Sequence, residues 1–352
     1  MKIGIITLFG LYNYGNRLQN VAVTHLLEQR GHEVHTIVCD RISPRRIVDS
    51  IIRMVQPFSA ESRKRRRFKA FNKQYIKVKS FIRQNLKMPK SISDQYDLFI
   101  VGSDQVWNPE IRKRERDTFF LRFAPTSKRL CISPSIGIEH IDDQYIGDYR
   151  EGLAGFAHLS CREVQGSKEI SRITGRVCQT LIDPTLAISP EYWRSVADYS
   201  EIPTSKYIFK FFLSNPSIDI TNSIDEYARK HKCIIVDMQD VHSPYYDKGP
   251  AYFISLIDKA EAVFTDSFHS VAFSVNLNTP FYAFDRYISE AFGNMSSRIL
   301  TLLNITGLID RFLYSNHIIP DTVCSFEQSN AALLMQRTAM QDYLDIILSE
   351  NK

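Results

Sequence analysis

The sequence predicts an α/β protein made of two doubly wound, Rossmann-like domains that face each other across a cleft. First, its 352 residues exceed a single domain of roughly 100–200 residues. Second, short apolar strands alternate with helical periods along most of the chain, a pattern typical of parallel sheets covered by helices. Third, the proline-containing stretch 183–205 separates two such series. We therefore expect an N-terminal domain over 1–188 and a C-terminal domain over 189–352.

The N-terminal series opens with a βαβ unit. Strands are predicted at Lys2–Leu8 and Glu33–Cys39, with the second parallel to the first. The helix between them is predicted to end at Gly31. The apolar residues of that helix recur with helical spacing at Leu18, Val21, Ala22, Leu26 and Leu27. Later strands are predicted at Tyr96–Val101, Arg129–Ser133, Gly155–Ser160 and Val177–Ile182, with a helix at Arg162–Thr174.

The C-terminal series repeats the alternation. Its predicted strands are Tyr207–Leu213, Cys233–Asp237, Ala262–Thr265 and Phe281–Phe284. Its predicted helices are Ile218–His231, Ala251–Lys259, Phe268–Val275, Ser297–Leu303 and Asn330–Ser349. We expect the last of these helices to pack back on the N-terminal domain.

Residues 41–90 interrupt the alternation with a concentration of positive charge. They hold sixteen Lys and Arg against two acids, Asp49 and Glu61, which gives +14; because the whole chain carries +5, the remainder carries −9. We expect a helical insertion on the outside of the N-terminal domain. Such charge attracts anions, including an acidic membrane face, and a solvated helix face is the alternative of equal weight. No nucleic-acid-binding motif accompanies the charge, so we predict no nucleic-acid partner.

Composition excludes several classes of protein. The longest apolar runs, such as Tyr252–Ile257, are far shorter than the roughly 20 residues that cross a bilayer, and the first apolar run lacks a secretory cleavage site. The six cysteines are scattered with no C-x-x-C pair, which favours free thiols in a reducing compartment over a metal site. We expect a cytoplasmic protein without a metal or a resident cofactor.

Polar motifs follow two N-terminal strands at the edge where α/β sheets bind ligands. Asn13-Tyr14-Gly15-Asn16 leads into a helix whose first N–H groups suit an anion or a sugar oxygen. After the strand Tyr96–Val101, Asp104 and Gln105 are suited to hold sugar hydroxyls, and Trp107 either stacks on a ring or fills the core. The structural alternatives are a capped βα turn at the first motif and an Asx turn at Asp104.

Two further motifs carry charge and acid–base chemistry. In Ser160-Cys161-Arg162-Glu163, the guanidinium of Arg162 fits a carboxylate or phosphate, with a structural ion pair as the equal alternative. In Thr265-Asp266-Ser267-Phe268-His269-Ser270, Ser267 can cap a helix whose first turn contains His269. The helix dipole disfavours imidazolium there, which predicts a neutral His269 able to act as a base. The alternative is a histidine bonded to a neighbouring carbonyl.

Taken in order, these motifs resemble the polysaccharide pyruvyl transferase family. The matching runs are Tyr14-Gly15-Asn16, Gly102–Asn108, Ser160–Glu163, Asp183-Pro184-Thr185, Thr265–Ser270 and Ser296-Ser297-Arg298-Ile299. The resemblance implies a fold similar to the GT-B glycosyltransferases, phosphoenolpyruvate as the donor, and a sugar or lipid-linked oligosaccharide as the acceptor. It also implies a place in bacterial capsule, exopolysaccharide or cell-wall glycan synthesis.

The resemblance further implies roles for individual residues. The family's histidine corresponds to His269, which would act in catalysis with Asp104, and its Ser-x-Arg-Glu/Asp arginine corresponds to Arg162. The expected donor-binding residues are Arg162, Ser267, Arg298 and Asn215. The expected acceptor-binding residues are Asn13, Tyr14, Gly15, Asn16 and Gln105. Several members carry a basic residue where this chain has Ser267, so the missing donor contact would come from Arg298, Lys210 or Arg17.

Two other functions stay open. A sugar-nucleotide glycosyltransferase of the same architecture is disfavoured because residues 267–280 contain no acidic side chain to hold a nucleotide ribose. A non-catalytic protein that binds a glycan or a membrane surface through 41–90 is disfavoured by the intact polar motifs of the predicted cleft.

Overall fold

Two five-stranded parallel sheets form the centre of the molecule, as predicted. The structure is a computed structural model that describes residues 1–10, 12–40, 56, 58–82, 88–110, 115–289, 293–294, 296–314, 319–320 and 322–350. Every strand pair within the two large sheets is parallel. Their strands are largely apolar because helices cover both faces of each sheet. None of the described helices is both long and apolar enough to span a bilayer.

The N-terminal sheet is built around the first strand. Its strands are β1 (Lys2–Ile6), β2 (Glu33–Asp40), β3 (Val78–Ile82), β4 (Leu98–Val101) and β5 (Arg129–Cys131). They lie in the order β3-β2-β1-β4-β5. The helices of this half are α1 (Tyr14–Glu28), α2 (Ala60–Tyr75), α3 (Arg116–Phe119), α4 (Asp143–Ala154) and α5 (Val164–Thr174). A second parallel pair, β6 (Leu159–Cys161) and β7 (Cys178–Thr180), continues beyond β5 through an Arg162 N–H to Pro134 C=O hydrogen bond of 2.9 Å.

The C-terminal sheet follows two short helices, α6 (Pro184–Ala187) and α7 (Pro190–Val196). Its strands are β8 (Tyr207–Phe211), β9 (Ile234–Asp237), β10 (Ala262–Thr265) and β11 (Phe281–Phe284), with an antiparallel pair, β12 (Tyr287–Ser289) and β13 (Gly293–Asn294), and a last short strand, β14 (Phe312–Leu313). The sheet order is β14-β11-β10-β8-β9. The helices are α8 (Ile218–Lys230), α9 (Pro250–Asp258), α10 (Phe268–Leu277), α11 (Ser297–Thr306) and α12 (Glu327–Ser349).

The basic segment differs from the predicted external insertion in two ways. Val78–Ile82 is β3, a strand of the N-terminal sheet that pairs with β2. The helix α2 is also not an external appendage, because Phe68 and Phe71 are buried and Arg63 pairs with Asp247 of the C-terminal half. Its apolar stripe therefore packs between the two halves. Residues 41–55, 57 and 83–87 lie outside the described part of the chain.

The two halves share a continuous apolar core and several polar contacts. Asn276 of α10 donates from Nδ2 to the Thr185 and Ile188 carbonyls at 2.9 and 3.0 Å. From α12, Tyr343 donates its hydroxyl to the Cys131 carbonyl at 3.0 Å. The last helix thus lies against the N-terminal half. These contacts bring the carboxyl ends of β1, β4, β8 and β10 to one gap, which gives the molecule its GT-B-like form.

Candidate active site

A cavity of about 420 Å³ lies in the gap between the carboxyl ends of the two sheets. This volume is within the usual range for small-molecule sites. Nine of the predicted site residues line it: Asn13, Tyr14, Gly15, Asn16, Asp104, Gln105, Ser267, His269 and Arg298. Arg286, Gln239, Phe211 and Phe253 complete much of the C-terminal wall.

The first motif forms one wall and joins the two halves. Asn13 caps α1 by accepting a 2.9 Å hydrogen bond from the Asn16 N–H at Oδ1. The buried ring of Tyr14 stacks on Phe253, and its hydroxyl donates to the Lys248 carbonyl at 2.9 Å. Burial, the largest cause, raises the pKa of Tyr14 and keeps its hydroxyl protonated. The Tyr14 hydroxyl is thus already used in a contact between the halves.

Asp104 occupies a strained backbone position beside the cavity. Its φ of 76° lies in the left-handed region, which is uncommon for a residue other than glycine. Oδ1 accepts from the Gln105 N–H at 2.8 Å, and Oδ2 accepts from the Asn16 side-chain amide. Oδ1 thus bonds the N–H of the next residue, whereas the Val106 N–H bonds the Asp104 backbone carbonyl, so the Asx turn that the sequence allowed is not formed. The carboxylate is held at the cavity wall. Trp107 is buried in the core, and its Nε1 donates to the Phe119 carbonyl at 3.2 Å.

His269 lies in the first turn of α10, where Ser267 caps the helix as predicted. The imidazole side chain is 10% exposed, and its Nε2 has no hydrogen-bond partner among the described residues. Nδ1 lies against Gly15 so closely that a Cβ added there would overlap the ring. Burial lowers the pKa of His269; Asp183 and Asp104 oppose this shift, while Arg162 and Arg298 add to it. The predicted neutral histidine is supported, with desolvation as the main cause.

Arg162 does not reach the cavity as a donor anchor would. Its side chain is 1% exposed, and Nη1 donates to Asp183 Oδ2 at 2.5 Å, while Nη2 lies 3.8 Å from Asp104 Oδ1. The guanidinium carbon lies 4.2 Å from the ring centre of Phe268. The structural ion pair, left open by the sequence, is thus the arrangement observed. Burial would raise the pKa of Asp183, but Arg162 and His269 bring it to about 2.

The candidates for the missing donor contact differ in whether they line the cavity. Lys210 lies 3.4 Å from Asp237 in an ion pair, and Arg17 is buried with its guanidinium 3.6 Å above the Phe9 ring. Asn215 is exposed in the loop after β8 and does not line the cavity, so its predicted donor contact is not supported. Arg298 is the one of these candidates that lines the cavity.

Arg298 is held against the N-terminal wall. With its carboxamide oxygen directed at the guanidinium, Gln105 accepts from Arg298 Nη1 and Nη2 at 2.9 and 2.8 Å. Burial lowers the pKa of Arg298 to about 10, so the side chain stays protonated at neutral pH. Gln105 is therefore a partner of the arginine as well as a cavity residue.

Sequence reasoning missed Arg286. This half-buried side chain follows β11 and lines the cavity on the same side as Arg298. Its position in the sequence could have predicted a place in the site. Arg286 follows the apolar strand Phe281–Phe284 by two residues, at the edge of the sheet where the other motifs lie.

The fold and the site define a two-domain α/β protein of the GT-B-like class whose interdomain cavity holds a buried histidine and two arginines. The family model described as polysaccharide pyruvyl transferase matches residues 13–286. The chain belongs to the polysaccharide pyruvyl transferase family. No curated protein matches it significantly.

Several solved structures have a similar fold at very low sequence identity. UDP-GlcNAc 2-epimerase from Neisseria meningitidis, bound to UDP-GlcNAc, is 9% identical over 100% of this chain and 94% of its own, with a TM-score of 0.43. A putative UDP-N-acetylglucosamine 2-epimerase from Listeria monocytogenes is 10% identical over 94% of both chains, with a TM-score of 0.49. MurG from Acinetobacter baumannii is 10% identical over 99% of both chains, with a TM-score of 0.46. These likenesses carry no information on the substrate of this chain.

Proposed function

We propose that the protein transfers the pyruvyl group of phosphoenolpyruvate to two hydroxyls of a sugar, which forms a cyclic ketal and releases phosphate. The observation that most supports this proposal is the buried His269, which lines the same cavity as Arg298. Membership of the family supports a transferase that acts in polysaccharide synthesis.

The donor brings a carboxylate and a phosphate, and both need positive partners. Arg298 and Arg286 line the same cavity, and the first N–H groups of α10 open beside Ser267. Guanidinium groups and helix N-termini stabilise such anions and the charge that develops as phosphate leaves. We therefore assign the donor to the C-terminal wall.

The acceptor would lie toward the N-terminal wall, where Asn13, Asn16, Asp104 and Gln105 provide amide and carboxylate groups for sugar hydroxyls. A neutral His269 can accept the proton of the attacking hydroxyl and return it to the enol carbon of the donor. The second hydroxyl then forms a bond to the same carbon as the bond between that carbon and the phosphate oxygen breaks, and its proton leaves with phosphate.

The test is incubation with phosphoenolpyruvate and a panel of lipid-linked and aryl glycosides, read by mass spectrometry for a pyruvate ketal and by phosphate release. We expect His269→Gln to lower turnover by about 10²–10⁴-fold, the usual contribution of an acid–base residue. His231→Gln, an exposed histidine at the end of α8, is the matched control and should leave turnover unchanged. Near-normal turnover of folded His269→Gln would contradict the assignment.

A ligand-binding measurement separates this proposal from a sugar-nucleotide glycosyltransferase. Phosphoenolpyruvate at a hundred times its Kd should stabilise the protein by about 2.7 kcal/mol. Arg298→Gln should remove most of that gain. Stabilisation by a sugar nucleotide, with none by phosphoenolpyruvate, would favour the glycosyltransferase.

We further propose a setting in bacterial capsule, exopolysaccharide or cell-wall glycan synthesis, on the cytoplasmic side of the membrane with a lipid-linked acceptor. The outward face of α2 supports a peripheral membrane contact, because Arg65, Lys69 and Lys73 are exposed at successive helical turns. Each basic residue near an anionic surface contributes about 1 kcal/mol. Replacing these three residues by Gln should release the protein from anionic vesicles, and unchanged association would remove the idea.

A further inference from the structure

We propose that Asp183 is the positioning residue for His269: it holds the Nε2–H of the imidazole and stabilises the imidazolium, so that Nδ1 is the nitrogen that exchanges protons in the cavity. This inference rests on the proposed acid–base role of His269. Asp183 itself does not line the cavity and would act only through the imidazole.

Asp183 is fixed from several sides before any substrate binds. At the start of α6, its Oδ1 accepts from the Thr185 N–H at 2.9 Å and from the Thr185 hydroxyl at 2.7 Å. Its Oδ2 accepts from the Ser103 hydroxyl at 2.8 Å and from Arg162 Nη1 at 2.5 Å. The side chain is fully buried. Four hydrogen bonds therefore hold one carboxylate in one orientation.

His269 is confined between that carboxylate and a glycine. Nε2 is buried, lacks a hydrogen-bond partner in the described part of the chain, and lies 4.0 Å from Asp183 Oδ2. On the other side, Nδ1 abuts Gly15, a residue of the cavity wall. A separation of 4.0 Å is longer than a hydrogen bond, but catalytic hydrogen bonds are often long in a ligand-free site and tighten in the complex. The pairing of Nε2 with Asp183 leaves Nδ1 on the cavity side.

The charges around the imidazole come from four segments. Asp104 faces it from the loop after β4, Arg162 from the end of β6, Asp183 from α6 and Arg298 from α11. Asp183 is the stronger of the two acidic influences, and Arg162 keeps it ionised. The carboxylate can therefore stabilise an imidazolium without taking the proton itself. This gives Arg162 a function through Asp183 in place of a direct donor contact.

The test is nitrogen-15 NMR of histidine-labelled protein, with the His269 signal identified by its loss in His269→Gln. We expect the Nε2–H tautomer in the unmodified protein. In Asp183→Asn the pKa of His269 should fall by about one unit or more, the usual effect of a close carboxylate. The kcat should fall by about 10²-fold or more with a nearly unchanged KM for phosphoenolpyruvate, and the matching limb of the pH–rate profile should move to lower pH.

Asp183→Asn leaves the Arg162 guanidinium buried without its partner, which can unfold the protein. A second variant therefore removes both charges. In that variant, Asp183→Asn with Arg162→Gln, the His269 pKa should still fall, by less, since Asp183 acts on it more strongly than Arg162. The matched control is Asp258→Asn with Arg194→Gln, an ion pair of 2.9 Å outside the cavity, which should not move the His269 pKa. Asp183→Glu keeps the negative charge but moves the carboxylate. The His269 pKa should therefore stay close to its value in the unmodified protein, whereas kcat should remain well below it.

An unchanged His269 pKa in the folded variants, or an Nδ1–H tautomer in the unmodified protein, would overturn the proposal. A loss of kcat without a pKa change would indicate a structural role and overturn it as well. If neither variant folds, Ser103→Ala removes one donor from the Asp183 carboxylate, which stays ionised, and a small rise of the His269 pKa is required because more of the negative charge then acts on the imidazole. A pKa fall in a protein that forms no ketal would support the positioning role and refute the proposed function.

Discussion

Two concentrations of charge differ in how they are built. The basic helix α2 is contiguous in sequence, with the run Arg63-Lys64-Arg65-Arg66-Arg67, and stands out at once. The cluster around Asp183 draws on residues spread from Ser103 to Arg298, and none of them is conspicuous by itself. The contiguous charges are divided between solvent and a contact between the halves, whereas the dispersed charges surround His269 at the cavity. Charge density along a chain is therefore a poor guide to charge density in space.

The division within α2 follows its helical period. Arg63 and Arg67 pair with Asp247 of the C-terminal half, and Lys64 lies 5.3 and 4.3 Å from the ring centres of Tyr14 and Tyr246. These side chains join α2 to the C-terminal half. Arg65, Lys69 and Lys73, in contrast, are exposed. One face of α2, with Arg63, Lys64 and Arg67, thus contacts the C-terminal half, and the other face is a charged surface exposed to solvent.

The largest expected effect is in the buried cluster. Arg162→Met leaves Asp183 buried without its cation, and breaking such a pair costs about 3–5 kcal/mol of unfolding free energy. Urea unfolding measures the change. Lys77→Met is the control, since its 3.1 Å pair with Glu28 is exposed and should cost less than about 1 kcal/mol.

The same pair predicts the acid sensitivity of the protein. The pKa of Asp183 is lowered from its ordinary 3.8 to about 2, so its stabilising contribution is present above about pH 4 and is lost as pH falls toward 2. Arg162→Met should lack this acid-dependent step. Parallel curves of stability against pH for the two proteins would contradict the assignment of Arg162 as the cause.

The next effect is on turnover. Gly15→Ala places a Cβ against the His269 ring, and a displacement of about 1 Å at a reacting group can cost about 100-fold in rate. Gly147→Ala is the control, because a Cβ at that helical position contacts nothing and alanine favours the helix. Steady-state kinetics of both variants test the prediction, and equal turnover would show that the ring adjusts freely.

A smaller effect is expected at Lys64, on the face of α2 that contacts the C-terminal half. Burial lowers the pKa of Lys64 to about 8 from its ordinary 10.5, so between these values the unfolded state binds more protons and stability rises with pH. Lys64→Met should remove that rise, a difference of roughly 3 kcal/mol in unfolding free energy across the window. Chemical denaturation at pH 7.5 and about pH 10.5, the two ends of the interval, measures it. Identical pH dependence would place Lys64 in solvent.

The smallest effect is on the outward face of α2. Replacing Arg65, Lys69 and Lys73 together by Gln should change stability by less than about 0.5 kcal/mol, as for other exposed substitutions. Turnover on a water-soluble acceptor should be unchanged as well. A large loss of stability would show that this face packs against another part of the protein. The exposed residues of α2 would then not differ from the buried Lys64.

Much of the fold was predictable because its signals are local. Apolar runs and helical spacing located both sheets, and the motifs at their carboxyl ends located most of the cavity wall. The errors have physical reasons. Val78–Ile82 is an edge strand that carries Lys79 and Ser80, so it lacks the apolar run of a central strand. The two-residue β14 is too short to leave a pattern.

By itself, the sequence determined the alternation of strands and helices, the family, and the presence of His269 at the start of a helix beside a sheet edge. Only the tertiary structure decided that Arg162 lies behind the cavity, that Asp183 stands next to the imidazole, and that Arg286 joins Arg298. The physical reason is that local periodicity is written in neighbouring residues, whereas burial depth and the choice of an ionic partner depend on groups that become neighbours only when the two sheets pack together.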